Sequence, residues 1–158
     1  MLVKGDSLTD EQLAYAKAYG NAVLLGGEGA VSASIATQAA ASLGSENVTR
    51  LSGDNRYETG LEIVKWEVEQ GMLLDSCGIA TGANFPDALT SGMMLAKRNS
   101  VLVLVEPTGA YNDNIVEYLG TNYKSIAGIN YLGGTGAVPQ AVRDTLEEAI
   151  NPSAEDEL

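Results

Sequence analysis

Short apolar runs alternate with segments of helical periodicity along almost the whole chain. The apolar runs have the length and the β-branched content of buried strands, and glycine-containing turns follow most of them. The helical segments place apolar residues every three or four positions, which gives each predicted helix one apolar face. The predicted strands are 22–25, 48–51, 78–81, 101–105 and 129–132, and the predicted helices lie near 10–19, 31–43, 57–70, 86–97, 115–119 and 138–149.

This alternation predicts the α/β class, with an open and mainly parallel sheet that carries helices on both faces, as in Rossmann-like folds. The run VLVLV at 101–105 is apolar at every position, which suits a strand buried on both faces. Right-handed crossovers would bring every strand-to-helix turn to one edge of such a sheet. Because open α/β sheets bind ligands at that edge, the turns are expected to hold the functional residues.

Two segments near the ends of the chain are nearly identical. Residues 25–31 read LGGEGAV and residues 132–138 read LGGTGAV, so six of seven positions match at an offset of 107 residues. Such an internal match predicts a repeat. We therefore expect one α/β domain over 1–150, in which 1–49 is the second half of a preceding repeat and 50–150 is one full repeat. Residues 151–158 form a predicted acidic tail, and the chain is expected to be a piece of a longer protein.

The charge and the residue counts of the chain exclude several classes of function. The 158 residues carry a formal net charge of −12, which argues against a nucleic-acid or anionic-membrane partner because both need a basic surface. The sequence has no histidine and one cysteine, which excludes a Ser-His-Asp triad, the usual zinc sites and an internal disulfide. No cofactor is expected, because Ser32 stands where a dinucleotide fingerprint needs its last glycine and no P-loop is present.

Three charged residues in the turns allow two interpretations. Asp54 and Asp87 could act as the paired carboxylates of a glycosidase. We favour the alternative that Asp54 caps the following helix and that Asp87 lies in a helix first turn, where the dipole stabilises an anion. Arg56 could contact a ligand or form a bidentate ion pair with a carboxylate such as that of Asp87, and we favour the ion pair.

Three motifs together resemble the cell wall-binding repeat 2 family of bacterial surface proteins. They are RLSGDNRYET at 50–59, ATGANFPDAL at 80–89 and LGGTGAV at 132–138. Their order and spacing fit one repeat over 50–150, and residues 1–49 resemble the back half of another. The family also carries a Pro-Ile-Leu-Leu segment implicated in polymer binding. Its counterpart here is VLVL at 101–104, which lacks the proline and is interpreted first as a core strand.

The resemblance implies a non-catalytic module that anchors a secreted protein to the Gram-positive cell wall through an anionic secondary polymer. It also implies a Toprim-like fold and packing of modules around a pseudo-threefold axis, so that sister modules or a homotrimer would be further partners. The alternatives are an enzyme on wall glycan or nucleotide, with Asp54 and Asp87 as acid and base, and a pure oligomerisation module. The expected ligand-binding residues are Ser52, Asp54, Asn55, Arg56, Asn84, Asp87, Gly133, Gly134, Thr135 and Gly136.

Overall fold

Five strands and six α-helices alternate along residues 1–152, which are the residues that the computed structural model describes. Most of the predicted acidic tail, 153–158, lies outside them. The chain divides into two compact units, Met1–Thr59 and Gly60–Leu158, and the division falls within helix α3 (Arg56–Glu69). The prediction of one domain over 1–150 stays a prediction.

The first unit contains a two-stranded parallel sheet with helices beside it. Helix α1 begins at a capping box, in which Thr9 and Gln12 exchange side-chain and backbone hydrogen bonds, and it ends at Gly20 in the left-handed conformation. Strands β1 and β2 pair in parallel from Ala22↔Val48 to Leu25↔Leu51. The elements of this unit before α3 are α1 (Asp10–Tyr19), β1 (Ala22–Leu25), α2 (Ala33–Leu43) and β2 (Val48–Leu51), with a 3-10 turn at Ser45–Asn47.

The second unit contains a three-stranded parallel sheet in the order β4-β3-β5. The middle of strand β4 is the run predicted to be a core strand, and Val101, Val103 and Val105 are buried. Burial of these valines confirms the interpretation of VLVL as a core strand. The elements after α3 are β3 (Leu73–Thr81), α4 (Pro86–Lys97), β4 (Ser100–Val105), α5 (Asp113–Thr121), a 3-10 turn (Tyr123–Ser125), β5 (Asn130–Leu132) and α6 (Gln140–Ile150).

The α/β class and the parallel strand direction are therefore confirmed, and all five predicted strands are present, although β3 begins at Leu73, five residues before the predicted start at 78. The strands nevertheless form two sheets, of two and three strands, where the sequence analysis expected one. Apolar periodicity identifies a strand from its own residues, but pairing depends on residues distant in sequence, so the pattern could not show which strands are neighbours.

The two segments that match in sequence also have matching local structure. Helices α2 (Ala33–Leu43) and α6 (Gln140–Ile150) begin and end 107 residues apart. Gly26 has φ +114° and its counterpart Gly133 has φ +100°, and each is followed by a turn closed on the carbonyl of the next glycine. The two copies thus share one local structure of strand, glycine turn and helix.

Candidate functional site

The turn after β2 is built as a helix start. The side-chain oxygen of Asn55 accepts the amide N–H groups of Tyr57 (2.9 Å) and Glu58 (3.0 Å), which is the N-cap arrangement for α3. The Glu58 carboxylate in turn accepts the N–H of Asp54 at 2.9 Å. The interpretation of Asp54 as the cap was therefore wrong, because Asn55 is the residue directly before the helix and its side chain reaches the orphan amides.

Gly53 and Thr59 complete the same motif. The Gly53 N–H donates to the Thr59 hydroxyl oxygen at 3.0 Å. A side chain at position 53 would collide with the Cβ of Glu58, so the close approach requires glycine there. Most of the GDNRYET motif thus stabilises the turn, while Ser52, Asp54 and Arg56 are exposed.

The junction of β3 and α4 leaves a helix start without a side-chain cap. The buried Thr81 hydroxyl oxygen accepts the N–H of Ala83 at 3.1 Å and so shapes the turn. Helix α4 begins at Pro86 after Phe85, and within residues 1–152 no side chain caps it. Asn84 is exposed two residues before this helix start. The first-turn amides and the positive end of the helix dipole are therefore available to an anion or a hydroxyl group.

Asp87 and Gly133 are brought together at the edge of the three-stranded sheet. Asp87 lies in the first turn of α4, as the sequence analysis favoured. Its carboxylate occupies the space that a Cβ at Gly133 would need, and the Cβ of Ala137 closes the same space from the other side. The glycine at 133 is thus required both by its positive φ and by the carboxylate packed on it.

Arg143 holds the 133–138 turn and was missed by the sequence analysis. Its guanidinium donates to the carbonyl oxygen of Gly133 at 3.0 Å and to that of Val138 at 2.9 Å. The guanidinium carbon also lies 4.5 Å from the centre of the Tyr131 ring, within cation–π distance. The available signal was an arginine within the helix that follows the glycine turn, one helical turn from its start.

In the first unit, an arginine on a strand binds the glycine turn, whereas in the second unit the arginine lies on a helix. Arg50, on β2, donates to the carbonyl oxygen of Gly26 at 2.6 Å and to that of Ser32 at 3.4 Å. Gly26 is the counterpart of Gly133, so the carbonyl of the first glycine is bound by a guanidinium in both copies. The arginine that opens the RLSGDNRYET motif therefore stabilises a neighbouring turn.

The turn after β4 forms a compact loop over residues 106–112. The Asn112 side chain is buried, accepts the N–H of Glu106 at 2.8 Å and donates to its carbonyl oxygen at 2.9 Å. The Glu106 carboxylate accepts the N–H of Thr108 at 2.6 Å and also the Thr108 hydroxyl. These hydrogen bonds, the hydroxyl one above all, hold the pKa of Glu106 below its ordinary value.

A cleft of about 260 Å³ lies between this loop and helix α6. Its polar lining comes from Thr108, Asn112, Asp113 and Thr145. Its floor is apolar, with Val116, Val142 and Leu146 among the lining residues. This combination of hydroxyl, amide and apolar groups suits one sugar-sized group better than a large ligand.

The ten predicted binding residues fall into two groups. Those at 52–56 follow β2 in the first unit, whereas Asn84, Asp87 and the turn 133–136 lie in the second. Because β3, β4 and β5 are parallel, the turns after these strands share one edge of their sheet. The ion pair between Arg56 and Asp87, and binding by any of the ten residues, stay predictions.

The charge at the edge of the second unit is negative. The turns 81–88, 106–113 and 133–139 contain three carboxylates, Asp87, Glu106 and Asp113, and no lysine or arginine. The guanidinium of Arg143 reaches this edge from α6 but is bound to turn carbonyls. An anionic ligand would therefore be held there by backbone amides and hydroxyls rather than by a basic patch.

The part of the chain that the structure describes contains neither a metal-ion site nor a membrane-spanning helix. Over residues 1–152, no three acidic or cysteine side chains are grouped closely enough to hold a metal ion. No helix in that range has both the length and the apolar character that crossing a bilayer requires.

Comparisons with known proteins identify the family. The model of the cell wall binding domain 2 (CWB2) family matches residues 50–143. No curated protein matches the chain significantly. Among solved structures, Cwp6 from Clostridium difficile superposes with a TM-score of 0.76 at 21% identity, covering 91% of this chain and 22% of that one. Cwp8 from the same organism superposes with a TM-score of 0.64 at 23% identity, covering 80% and 20%.

The two structural likenesses support the fold alone, and this chain spans about a fifth of the length of each protein, 22% and 20%. The family match covers more than half of the chain, and it includes all three motifs that were recognised in the sequence, at 50–59, 80–89 and 132–138. The predicted resemblance is confirmed: the chain belongs to the cell wall binding domain 2 family.

Proposed function

We propose that this chain is a non-catalytic module that attaches a secreted protein to the Gram-positive cell wall by binding an anionic secondary polymer. The family match over residues 50–143 carries the proposal, because it makes the chain a cell wall-binding, surface-associated module. Three points go beyond the family match and are our proposal: that the ligand is an anionic secondary polymer, that the host is Gram-positive and that the protein is secreted.

The polymer-binding residues that we propose lie in the strand-end turns of each unit. The exposed side chains there are those of Ser52, Asp54 and Arg56 in the first unit and those of Asn84 and Thr135 in the second. Asn55, Asp87 and the glycines at 133, 134 and 136 would contribute by shaping the turns and by presenting backbone amides. A polymer in which phosphate and hydroxyl groups alternate would suit these turns, because backbone amides can donate hydrogen bonds to both groups.

Sedimentation with purified cell walls tests the polymer assignment. Walls that retain the secondary polymer should pull the chain down, and walls from which acid has stripped that polymer should leave it in solution. Retention on intact walls should not weaken as salt is raised, because screening reduces the repulsion between an anionic polymer and a chain of charge −12. Equal retention on both wall preparations would contradict the assignment to an anionic polymer while leaving wall binding in place.

Two substitutions test the surface without disturbing the turns. Asn84→Ala and Thr135→Ala remove exposed polar groups, so they should weaken wall retention several-fold and leave the free energy of unfolding within about 0.5 kcal/mol of the original. The matched control is Asn114→Ala, an exposed asparagine on α5 outside the turns. If the control weakens retention as much as Asn84→Ala, the binding surface lies elsewhere.

No observation favours the enzyme alternative. The family is described as a binding domain, which points away from catalysis by Asp54 and Asp87. Incubation with purified wall glycan should therefore release no reducing ends above background. Turnover that Asp87→Asn abolishes in a folded chain would overturn the non-catalytic part of the proposal.

We further propose that sister modules, or a homotrimer of this chain, associate through one face of α4. Phe85, Leu89 and Met93 are spaced four residues apart and are 73%, 72% and 75% exposed. The helix predicted near 86–97 is confirmed, but Leu89 and Met93 face outward, whereas Leu95 is buried. A contiguous apolar stripe on a helix surface is typical of an interaction surface.

Light scattering at several concentrations tests this association. The original chain should be a trimer at high concentration, and more so at high salt, because salt screens the repulsion between chains of charge −12. Leu89→Glu combined with Met93→Glu should give a monomer, while Thr145→Glu, on the exposed surface of α6, should change nothing. A monomer at every concentration would contradict the proposal.

A further inference from the structure

The counterparts β1 and β5 have different strand neighbours. The segments β1–α2 and β5–α6 are related by the 107-residue offset, which makes Val23 the counterpart of Asn130 and Leu25 the counterpart of Leu132. In the second unit β5 pairs with β3, with Gly78↔Asn130 and Ala80↔Leu132. Within residues 1–152, β1 pairs with β2 and with no β3-like strand.

Among the residues that the structure describes, no strand pairs with the second edge of β1. The N–H of Gly26, directly after β1, donates to the carbonyl oxygen of Leu51 on β2 at 2.8 Å. Backbone groups alternate in direction along a strand, so the N–H and C=O groups of Leu25 and Val23 point away from β2. A row of such groups is a template for one more strand.

Side-chain exposure shows that the open edge of β1 lacks the packing that covers β5. Leu132 is 8% exposed because Ala80 of β3 and Leu95 of α4 pack against it, together with Leu104 of β4. Leu25, its counterpart, is 51% exposed. The repeat therefore shows the same strand covered in one copy and uncovered in the other.

An apolar groove of about 490 Å³ accompanies the uncovered strand. It is lined by β1 together with residues of α1 and α2, among them Tyr15, Tyr19 and Ile35. Tyr15 and Tyr19 are 56% and 67% exposed, although their ring centres lie 4.9 Å apart, with the ring planes tilted by 45°. The groove has the apolar lining that a helix and a strand from another repeat would need.

We propose that the edge of β1 is a docking site for the β3–α4–β4 segment of another repeat of this family. The incoming strand would pair in parallel, with its Gly78 equivalent opposite Val23 and its Ala80 equivalent opposite Leu25, as β3 pairs with β5 here. The β3 of an intact second copy cannot serve, because β4 and β5 occupy both of its edges. The partner is therefore a repeat whose β3 has an open edge.

A fusion chain tests the docking. A second copy of residues 60–107 is placed directly before Met1 of the full chain, which follows the 107-residue register of the repeat. Amide hydrogen exchange is then compared with that of the original chain. The amides of Val23 and Leu25 should exchange rapidly in the original chain and about tenfold or more slowly in the fusion.

The matched control is the same fusion with Ile79→Pro in the added copy only, since proline disrupts a central strand. This control should leave Val23 and Leu25 exchanging as fast as in the original chain. The proposal is overturned if these amides are already protected in the original chain, or if they stay fast in the fusion, whether or not the added segment folds. Wall binding is not measured in this experiment, so its failure would leave the proposed function standing.

Discussion

The carboxylate of Asp87 lies against the α-carbon of Gly133, in the place where a side chain at position 133 would begin. This relationship joins the first turn of α4 to the glycine turn after β5, and both belong to motifs recognised in the sequence. Two residues that are 46 positions apart in the sequence thus form one structural contact, in which the aspartate fills the space that the absent side chain of the glycine leaves open.

Gly133→Ala should destabilise the chain. Alanine at φ +100° is strained, and its Cβ would displace the Asp87 carboxylate, so we expect a loss of about 1–3 kcal/mol in the free energy of unfolding. Urea unfolding followed by circular dichroism measures it. Gly134→Ala is the control, because position 134 has open space and no positive φ, and it should be neutral or stabilising by up to about 1 kcal/mol. Equal losses for the two variants would contradict the account.

Asn55→Ala should cost more stability than Asp54→Ala. The Asn55 side chain caps two amides of α3, and loss of such a cap costs about 1 kcal/mol. The Asp54 side chain is exposed, and the Glu58 carboxylate binds the backbone N–H of Asp54, which the substitution keeps, so its removal should cost less than about 0.5 kcal/mol. The reverse order in urea unfolding would restore Asp54 as the cap.

Arg143→Met should loosen the 133–138 turn. The substitution keeps the apolar stem but removes two hydrogen bonds from a charged group to carbonyl oxygens, and we expect a loss of about 2 kcal/mol. Arg143→Lys should recover only part of it, because one ammonium cannot reproduce the planar fork. Thermal unfolding of the three chains checks the order, and a methionine variant as stable as the original would show that the guanidinium is dispensable.

The pKa of Glu106 should lie below its ordinary value of 4.5, because the Thr108 hydroxyl and nearby amides stabilise the carboxylate. A depressed pKa in the folded chain means that this contribution to stability is present above the ordinary value and is lost as the pH falls through the lower, folded-state pKa. Carbon-detected NMR titration of the Glu106 side chain measures it. Thr108→Val should move the pKa back towards 4.5, and an unchanged value would contradict the role of the hydroxyl.

The candidate site could be predicted only in part. The turns that carry it were located from strand periodicity and glycine positions, both of which are local signals. The role of each residue inside those turns was not predicted. Asn55 rather than Asp54 caps α3, and Arg143 binds the 133–138 turn from the helix that follows it. A cap or a guanidinium contact depends on side-chain geometry that spacing alone does not encode.

The order and type of the elements, the parallel α/β class and the family could all be predicted from the residues, as could the match at an offset of 107. Each of these follows from apolar periodicity, turn chemistry or a local motif. Three features emerged only in the folded chain: the strands form two sheets, Leu89 and Met93 face outward, and Leu25 is exposed where Leu132 is buried. Those outcomes depend on which distant segments meet, and identical local sequences such as LGG at 25 and 132 acquire different surroundings when their neighbours differ.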